Sequence, residues 1–284
     1  MQKVADLHVH TYLSDGSFSP QKVVEYSKAK GLDAIAITDH DCCDGIAPAI
    51  IAAKDLGMEV IPGVELSAEI GDEDVHILGY FIDWQDRLFL DRLRKIMDVR
   101  KERAKEILKR LRKLKMMISD EELFELSKSG CVGRLHIAQL LVKKGFCSSL
   151  HQVFKDYIGN GGPCYVRKFK LSPKEAVDMI KGVGGIAALA HPKTIDTRDR
   201  SVEDIMKTFV ADGVQGLEVY HSDHTRKDEN RFKALAEEYD LVITGGSDCH
   251  GLAKKEVYIG KIKIPYGLVE KLKERAKNRS SEDI

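Results

Sequence analysis

Two imidazoles spaced two positions apart, His8 and His10 in Asp-Leu-His-Val-His at residues 6–10, pose the chemical question. Residues 4–9 have the apolar density of a short buried strand. Alternation along a strand sends both histidines to one face, about 7 Å apart, where they can share a metal ion. Asp15 follows in Ser14-Asp15-Gly16, where the chain turns, and offers a carboxylate. The pair alone is equally consistent with two hydrogen-bonded core histidines. The reading therefore depends on whether further ligands arrive from other strands.

The elements that would deliver them follow in order. Ser19-Pro20 caps a helix stopped by Gly31, and an apolar strand at 34–38 ends in Asp39-His40-Asp41. A helix at 46–56 leads to a strand at 59–64 that ends at Glu65. This β-α-β-α-β order is that of a parallel sheet. It breaks once: the turn at 71–74 and the strand at 76–81 predict a hairpin over 64–81 that folds back over the site and carries His76. A long basic amphipathic helix at 86–116 and helices at 119–128, 136–144 and 150–158 follow, closed by Gly159-Asn160-Gly161-Gly162-Pro163. The alternation resumes with a helix from Ser172-Pro173 to about 183 and a strand at 185–190 that ends in His191-Pro192. A helix at 203–211, a strand at 216–219 and a helix at 228–239 precede a last strand at 241–245, which ends in Gly246-Ser247-Asp248-Cys249-His250. The expected division is a barrel over 1–99 and 166–265, a substrate-capping helical insert over 100–165, and a polar, frayed tail over 266–284.

Laid side by side, the strand ends carry His8, His10, Asp15, His40, Glu65, His191, Asp248 and His250, with His76 on the hairpin. In barrel-like α/β folds the active-site residues come from the carboxyl ends of several strands. Imidazole and carboxylate ligands without thiolate suit Mn²⁺, Zn²⁺ or Fe²⁺. Nine groups exceed the roughly three protein ligands that one catalytic ion needs, so two or three divalent ions are expected. Such ions share a bridging carboxylate, generate hydroxide at neutral pH and clamp an in-line displacement at phosphorus.

Composition narrows the partners. The 284 residues, 43% hydrophobic and 32% charged, suffice for one large α/β domain with an insert. Lysine plus arginine (45) balances aspartate plus glutamate (45), so no global field draws the chain to nucleic acid or an anionic membrane. An acidic substrate must be captured by local charge. Cys42, Cys43, Cys131, Cys147, Cys164 and Cys249 form no C-x-x-C pair and read as reduced thiols of a cytoplasmic protein. No apolar run is long enough to span a membrane, and no obligate protein partner is evident.

The motifs D-L-H-V-H-T (6–11), S-D-G (14–16), G-L-D-A-I-A-I-T-D-H-D (31–41), G-V-E-L-S (63–67), H-I-L-G-Y-F-I-D (76–83), A-H-P (190–192) and G-S-D-C-H-G (246–251) occur in unbroken order. Together they resemble the polymerase-and-histidinol-phosphatase (PHP) family of metal-dependent phosphoesterases. The resemblance implies a distorted seven-stranded, TIM-like (β/α) barrel with a trinuclear site. It assigns His8, His10, Glu65 and Asp248 to one ion and Asp15, His40 and His250 to a second. Glu65 would bridge to a third ion, which His76 and His191 complete. Gly133-Arg134-Leu135-His136-Ile137-Ala138 is similar to a segment supplying a substrate-phosphate arginine, Arg134, and His224 resembles a residue facing the phosphate that assists the leaving oxygen. Lys193 and Arg198 could add positive charge near the ions. Cys42-Cys43 and Cys249 depart from the residues more usual in relatives, though none replaces a proposed ligand.

The resemblance implies hydrolysis of nucleoside 3',5'-bisphosphates or short 5'-phosphorylated oligonucleotides by a metal-bridging hydroxide. The alternatives are a histidinol phosphate phosphatase, a carbon–nitrogen hydrolase with a modified bridging lysine, and a non-catalytic metal-binding regulatory module. The basic run from Arg92 to Lys115 reads as a solvated helix face, because Asp98, Glu102 and Glu106 interrupt it.

Overall fold

β1 (Val4–Val9) is buried along nearly its whole length. A computed structural model describes residues 2–71, 73–126, 132–167, 171–195, 201–253 and 256–279. The order continues with α1 (Pro20–Ala29), β2 (Ala34–Ile37), α2 (Ile46–Lys54), β3 (Glu59–Ile70) and β4 (Glu73–Tyr80). A helical stretch follows: α3 (Arg87–Lys113), α4 (Asp120–Leu126), α5 (Arg134–Lys143) and α6 (Leu150–Val153), the last running into a π-helical turn over Phe154–Ile158. The chain then returns through α7 (Pro173–Gly182), β5 (Ile186–Leu189), α8 (Val202–Ala211), β6 (Gly216–His221), α9 (Arg226–Glu238), β7 (Val242–Gly246), β8 (Ile264–Pro265) and α10 (Gly267–Arg279).

The strands form one sheet in the order β7-β6-β5-β4-β3-β2-β1-β8. β1, β2 and β3 run parallel, as do β5, β6 and β7, while β4 is antiparallel to both β3 and β5. A parallel bridge between Val9 and Cys249 draws β1 toward the end of β7, so the sheet is a nearly closed barrel. The hairpin is as expected, with Gly63 opposite Tyr80 and Ser67 opposite His76. β3 differs: it does not end at Glu65 but runs on to Ile70, because β4 pairs with it over that whole length. An eighth strand, only two residues long, joins the seven that the pattern predicts and pairs antiparallel with β1.

Inside the barrel, Ala5, Leu7, Ala34, Ala36, Ile61, Leu78, Tyr80 and Ile186 form an apolar plug. Val269 and Leu272 of α10 pack into the same cluster, where α10 lies against β5, β7 and β8. The expected frayed tail is thus a helix as far as Arg279, because burying those two side chains seals the lower barrel. Outside, the apolar faces of α1, α2, α7, α8 and α9 cover the sheet in a second core. α3 is capped by Asp86, whose carboxylate accepts the Phe89 N–H at 2.7 Å, and its 27 residues serve two cores. Phe89 and Leu93 pack on the barrel, whereas Ala104, Ile107, Leu108 and Leu111 build a separate core with α4, α5 and the π-helical turn. The five described cysteines carry no disulfide; Cys131 and Arg198 lie outside the described residues. No described helix is long and apolar enough to cross a membrane.

Candidate metal centre

The carboxyl ends of the parallel strands and the middle of the hairpin bring all nine expected residues to one end of the barrel. A register irregularity between Asp6 and Val9 separates the apolar lower half of β1 from its upper, histidine-bearing half. The His8 and His10 rings lie 5.1 Å apart. Glu65 is fully buried between them and the rest of the cluster. Its Oε2 is 3.2 Å from His8 Nε2, His10 Nε2 and His40 Nδ1. Its Oε1 is 2.9 Å from His76 Nδ1 and 3.0 Å from His191 Nε2. Asp248 Oδ1 stands 3.1 Å from His10 Nε2 and 3.5 Å from His8 Nε2. Asp15 faces His250 Nε2 at 3.1 Å and His40 Nε2 at 3.9 Å.

Among the described residues, three groups could therefore each hold an ion: His8, His10, Glu65 and Asp248; His10, Asp15, His40 and His250; and His40, Glu65 and His76. His76 Nδ1, His191 Nε2 and Glu65 Oε1 also form a triangle with sides of 2.9–3.2 Å. Grouping by distance thus differs from the family-based assignment in letting His10 and His40 serve two groups and in leaving His191 to the triangle beside the third group. The chemistry of the donors fits divalent ions. His8 Nε2, both ring nitrogens of His10, Asp15 Oδ1 and Glu65 Oε2 are buried without a hydrogen bond, an expensive arrangement unless something binds them. Ligands about 2.1 Å from a tetrahedral ion stand about 3.4 Å from one another, close to the spacings in the first group.

Electrostatics supports the same reading. Burial alone would push the Glu65, Asp15 and Asp248 carboxyls up, yet the surrounding histidines hold all three well below the usual carboxylate range. Burial disfavours charge on His8 and His10, but neighbouring carboxylates outweigh it: His8 rises well above its ordinary value and His10 to about 10. Burial keeps His40 neutral, with a pKa lowered to about 3. In the absence of ions, protons on imidazoles balance the carboxylates, and cation binding would displace them.

Backbone conformation is as unusual as side-chain placement. Asp41, His191 and Asp248 all have positive φ (48°, 26° and 49°), in the region that residues with a Cβ seldom occupy and that concentrates at functional sites. Buried carboxylates hold the loops that carry the ligands. Asp39 accepts from Thr11 N, Thr11 Oγ1 and Ser14 Oγ, and Asp6 accepts from Ser247 N at 2.8 Å. Cys249 Sγ accepts the Gly251 N–H, and burial raises its pKa, so the thiol is neutral and engaged with its own loop.

The two expected substrate residues stand apart from the nine. Arg134 begins α5 and lines a cavity of ≈ 170 Å³ with Arg103 and Phe154 on the insert side and Asp15, His40 and His76 on the barrel side. Its guanidinium lies over the Phe154 ring and bonds Asp74 Oδ2 at 3.2 Å. His224 is one ring further out, 5.2 Å from His221 between centroids. It donates Nδ1–H to the Val219 carbonyl at 2.8 Å, and its buried Nε2 has no partner. Lys193 bonds Asp223 O and pairs with Asp228, in the first turn of α9.

Three participants escaped the sequence reading. Glu218 and His221 come from β6, a short apolar strand in which one carboxylate gives no spacing signal; His221 Nε2 lies 3.7 Å from Asp248. Arg100 comes from α3, where it is one cation among many. It ion-pairs with Asp41 and donates to Ser67 Oγ at 2.7 Å, tying the insert to the barrel rim.

Comparison with known proteins agrees with this geometry. The PHP domain family profile matches residues 6–158, just over half of the chain. A 3',5'-nucleoside bisphosphate phosphatase of Chromobacterium violaceum is 34% identical over 246 residues, 86% of each chain. The 5'-3' exoribonuclease Rnm of Escherichia coli is 33% identical over 249 residues, covering 87% of this chain and 85% of the relative. A solved structure of an amidohydrolase from C. violaceum, with bound sulfate and no metal, superposes with a TM-score of 0.85 at 30% identity over 97% of this chain and 96% of the other. With its nine converging imidazoles and carboxylates on a nearly closed barrel, this chain belongs to the PHP-domain family of metal-dependent phosphoesterases.

Proposed function

We propose that this hydrolase removes or cleaves a phosphate ester on a small nucleotide that carries a second phosphate: a nucleoside 3',5'-bisphosphate or the 5' end of a short oligonucleotide. One observation carries the reading. Arg103 and Arg134 share a half-closed cavity with Asp15, His40 and His76, so cationic and metal-ligating groups face one small volume. Burial and then the nearby Arg134 charge depress the Arg103 guanidinium to about 10, and an anion between the two would relieve both effects. Guanidinium forks suit phosphate oxygens in two-point contact. A monophosphate held at the ligand cluster leaves these cations unused; a bisphosphate occupies both.

When bound, two or three divalent ions (Mn²⁺, Fe²⁺ or Zn²⁺) supply Lewis-acid charge and a nucleophile at neutral pH. The chain does the rest. Glu65, at the hub, holds the two sides of the cluster in one arrangement. Arg134 and Arg103 hold the phosphate that does not react, and the Phe154 ring backs the Arg134 guanidinium in the same cavity. His224 is assigned to the leaving oxygen. Its Nδ1–H is fixed on Val219, so any proton it delivers must come from Nε2, and a bound dianion would raise its depressed pKa and load that nitrogen. His224→Gln should then slow esters with poor leaving groups more than aryl phosphates.

Turnover with Mn²⁺ tests the substrate. A nucleoside 3',5'-bisphosphate and a short 5'-phosphorylated RNA should exceed histidinol phosphate at least about tenfold in kcat/KM, the worth of one charged hydrogen bond. Preference for histidinol phosphate would replace the reading with the single-phosphate alternative. Metal binding without turnover of any ester would favour a regulatory module.

A further inference from the structure

One buried carboxylate at the centre belongs to none of the three ligand groups. Glu218 sits within β6, fully buried, and both its oxygens are engaged. Oε1 lies 2.9 Å from His8 Nδ1, and Oε2 accepts the backbone N–H of His191 at 2.7 Å. A carboxylate in this setting only accepts, so His8 donates through Nδ1. That leaves His8 Nε2 facing Glu65 Oε2 at 3.2 Å and Asp248 Oδ1 at 3.5 Å. The other oxygen acts on the backbone of a strained residue: His191 has φ 26° and ψ 61°. Such a conformation persists where its surroundings over-determine it, and the bond from Glu218 is one of those constraints. His8 is on β1 and His191 follows β5, on either side of β6 and β7 around the wall.

We propose that Glu218 is a positioning residue for the metal centre: one carboxylate fixes His8 as an Nε2 ligand and holds the His191 end of β5, setting two separate ligand groups at once. The proposal rests on His8 and His191 being metal ligands. An imidazole whose remote N–H is held by a carboxylate is both oriented and made a more basic donor. Loss of such a partner typically lowers metal affinity 10–100-fold.

Two measurements on the full chain decide it. Competition of Mn²⁺ against a chelator should show about 10–100-fold weaker binding in Glu218→Gln, which keeps the shape and removes the charge. In the Zn²⁺-loaded parent, nitrogen-15 NMR of the histidines should show His8 coordinated through Nε2, with a slowly exchanging Nδ1–H. Parental Mn²⁺ affinity in a folded Glu218→Gln would overturn the proposal while leaving the metal centre intact. So would a His8 coordinated through Nδ1 in the parent, a result that needs no variant to fold. A parent that binds neither Mn²⁺ nor Zn²⁺ would remove the metal reading, and this proposal with it.

Discussion

Gly246 on β7 lies so close to His8 on β1 that a Cβ added to it would stand 2.3 Å from the His8 backbone nitrogen and 2.4 Å from the His8 Cβ. No rotamer change relieves a clash with backbone. The contact lies where β7 comes back against β1, just below the Val9–Cys249 bridge, so the barrel closes only because position 246 has no side chain.

Gly246→Ala should accordingly do two things. Forcing the two strands apart should destabilise the metal-free protein by about 1–3 kcal/mol, read from the urea midpoint. The same displacement moves His8 away from Glu65, so Mn²⁺ affinity should fall as well. A variant with unchanged stability and affinity would show that the seam is looser than this contact requires.

This glycine also marks the limit of what the sequence discloses. His8, His10, His40, His191, Asp248 and His250 could be read because each sits at or near a strand end, where periodicity reports position. Glu65 is legible from the expected strand end and from the resemblance, although β3 in fact carries it mid-strand. Glu218 could not be found this way: its partners, His8 and the His191 backbone, lie 210 and 27 residues away, and nothing local signals them. The α10 helix was missed for a related reason. Its buried Val269 and Leu272 are scattered among charged residues, and their burial depends on a barrel end formed by distant strands.

Glu65 should be the residue whose loss costs most ions. Its two oxygens serve different groups, one toward His8, His10 and His40 and the other toward His76 and His191. Glu65→Gln should lower the metal content per chain after desalting by more than one equivalent and reduce kcat/KM by at least about 100-fold. Among the described ligand residues Asp15 lies against His250, His40 and His10, all of one group, so Asp15→Asn should remove one equivalent at most. Equal losses in the two variants would contradict the central position of Glu65.

His136 gives the insert a pH dependence of predictable sign. It is buried at the start of α5, where its Nδ1 accepts the Gly133 N–H at 3.2 Å. Burial lowers its pKa; Arg100 and His250 add to the fall and Asp15 opposes it. The unfolded chain takes up this proton near pH 6.5, and the folded one resists it. The contribution to stability is therefore complete above about pH 6.5 and shrinks as pH falls below it, by up to about 1.4 kcal/mol per pH unit. His8 and His10, whose pKa values are raised, contribute with the opposite sign: their share is present at low pH and lost as pH rises. Comparing urea midpoints of His136→Gln and the parent from pH 7.5 to 5 isolates the one residue. The parent should lose ground relative to the variant on acidification; parallel curves would refute the assignment.

Arg134 provides the sharpest check on the substrate, because it stands outside the ligand cluster yet lines the same cavity. If its guanidinium holds a phosphate that does not react, Arg134→Ala should raise KM for a nucleoside 3',5'-bisphosphate by roughly 10–100-fold, the worth of a charge-assisted hydrogen bond at about 1.5–3 kcal/mol. An aryl phosphate, with nothing to place in the arginine half of the cavity, should lose little. The competing account makes Arg134 a structural tie to Asp74 and Phe154 that holds α5 over the barrel rim. That account predicts equal losses on both substrates, since a displaced insert would disturb the whole cavity. The ratio of the two losses decides between them, whatever their absolute size.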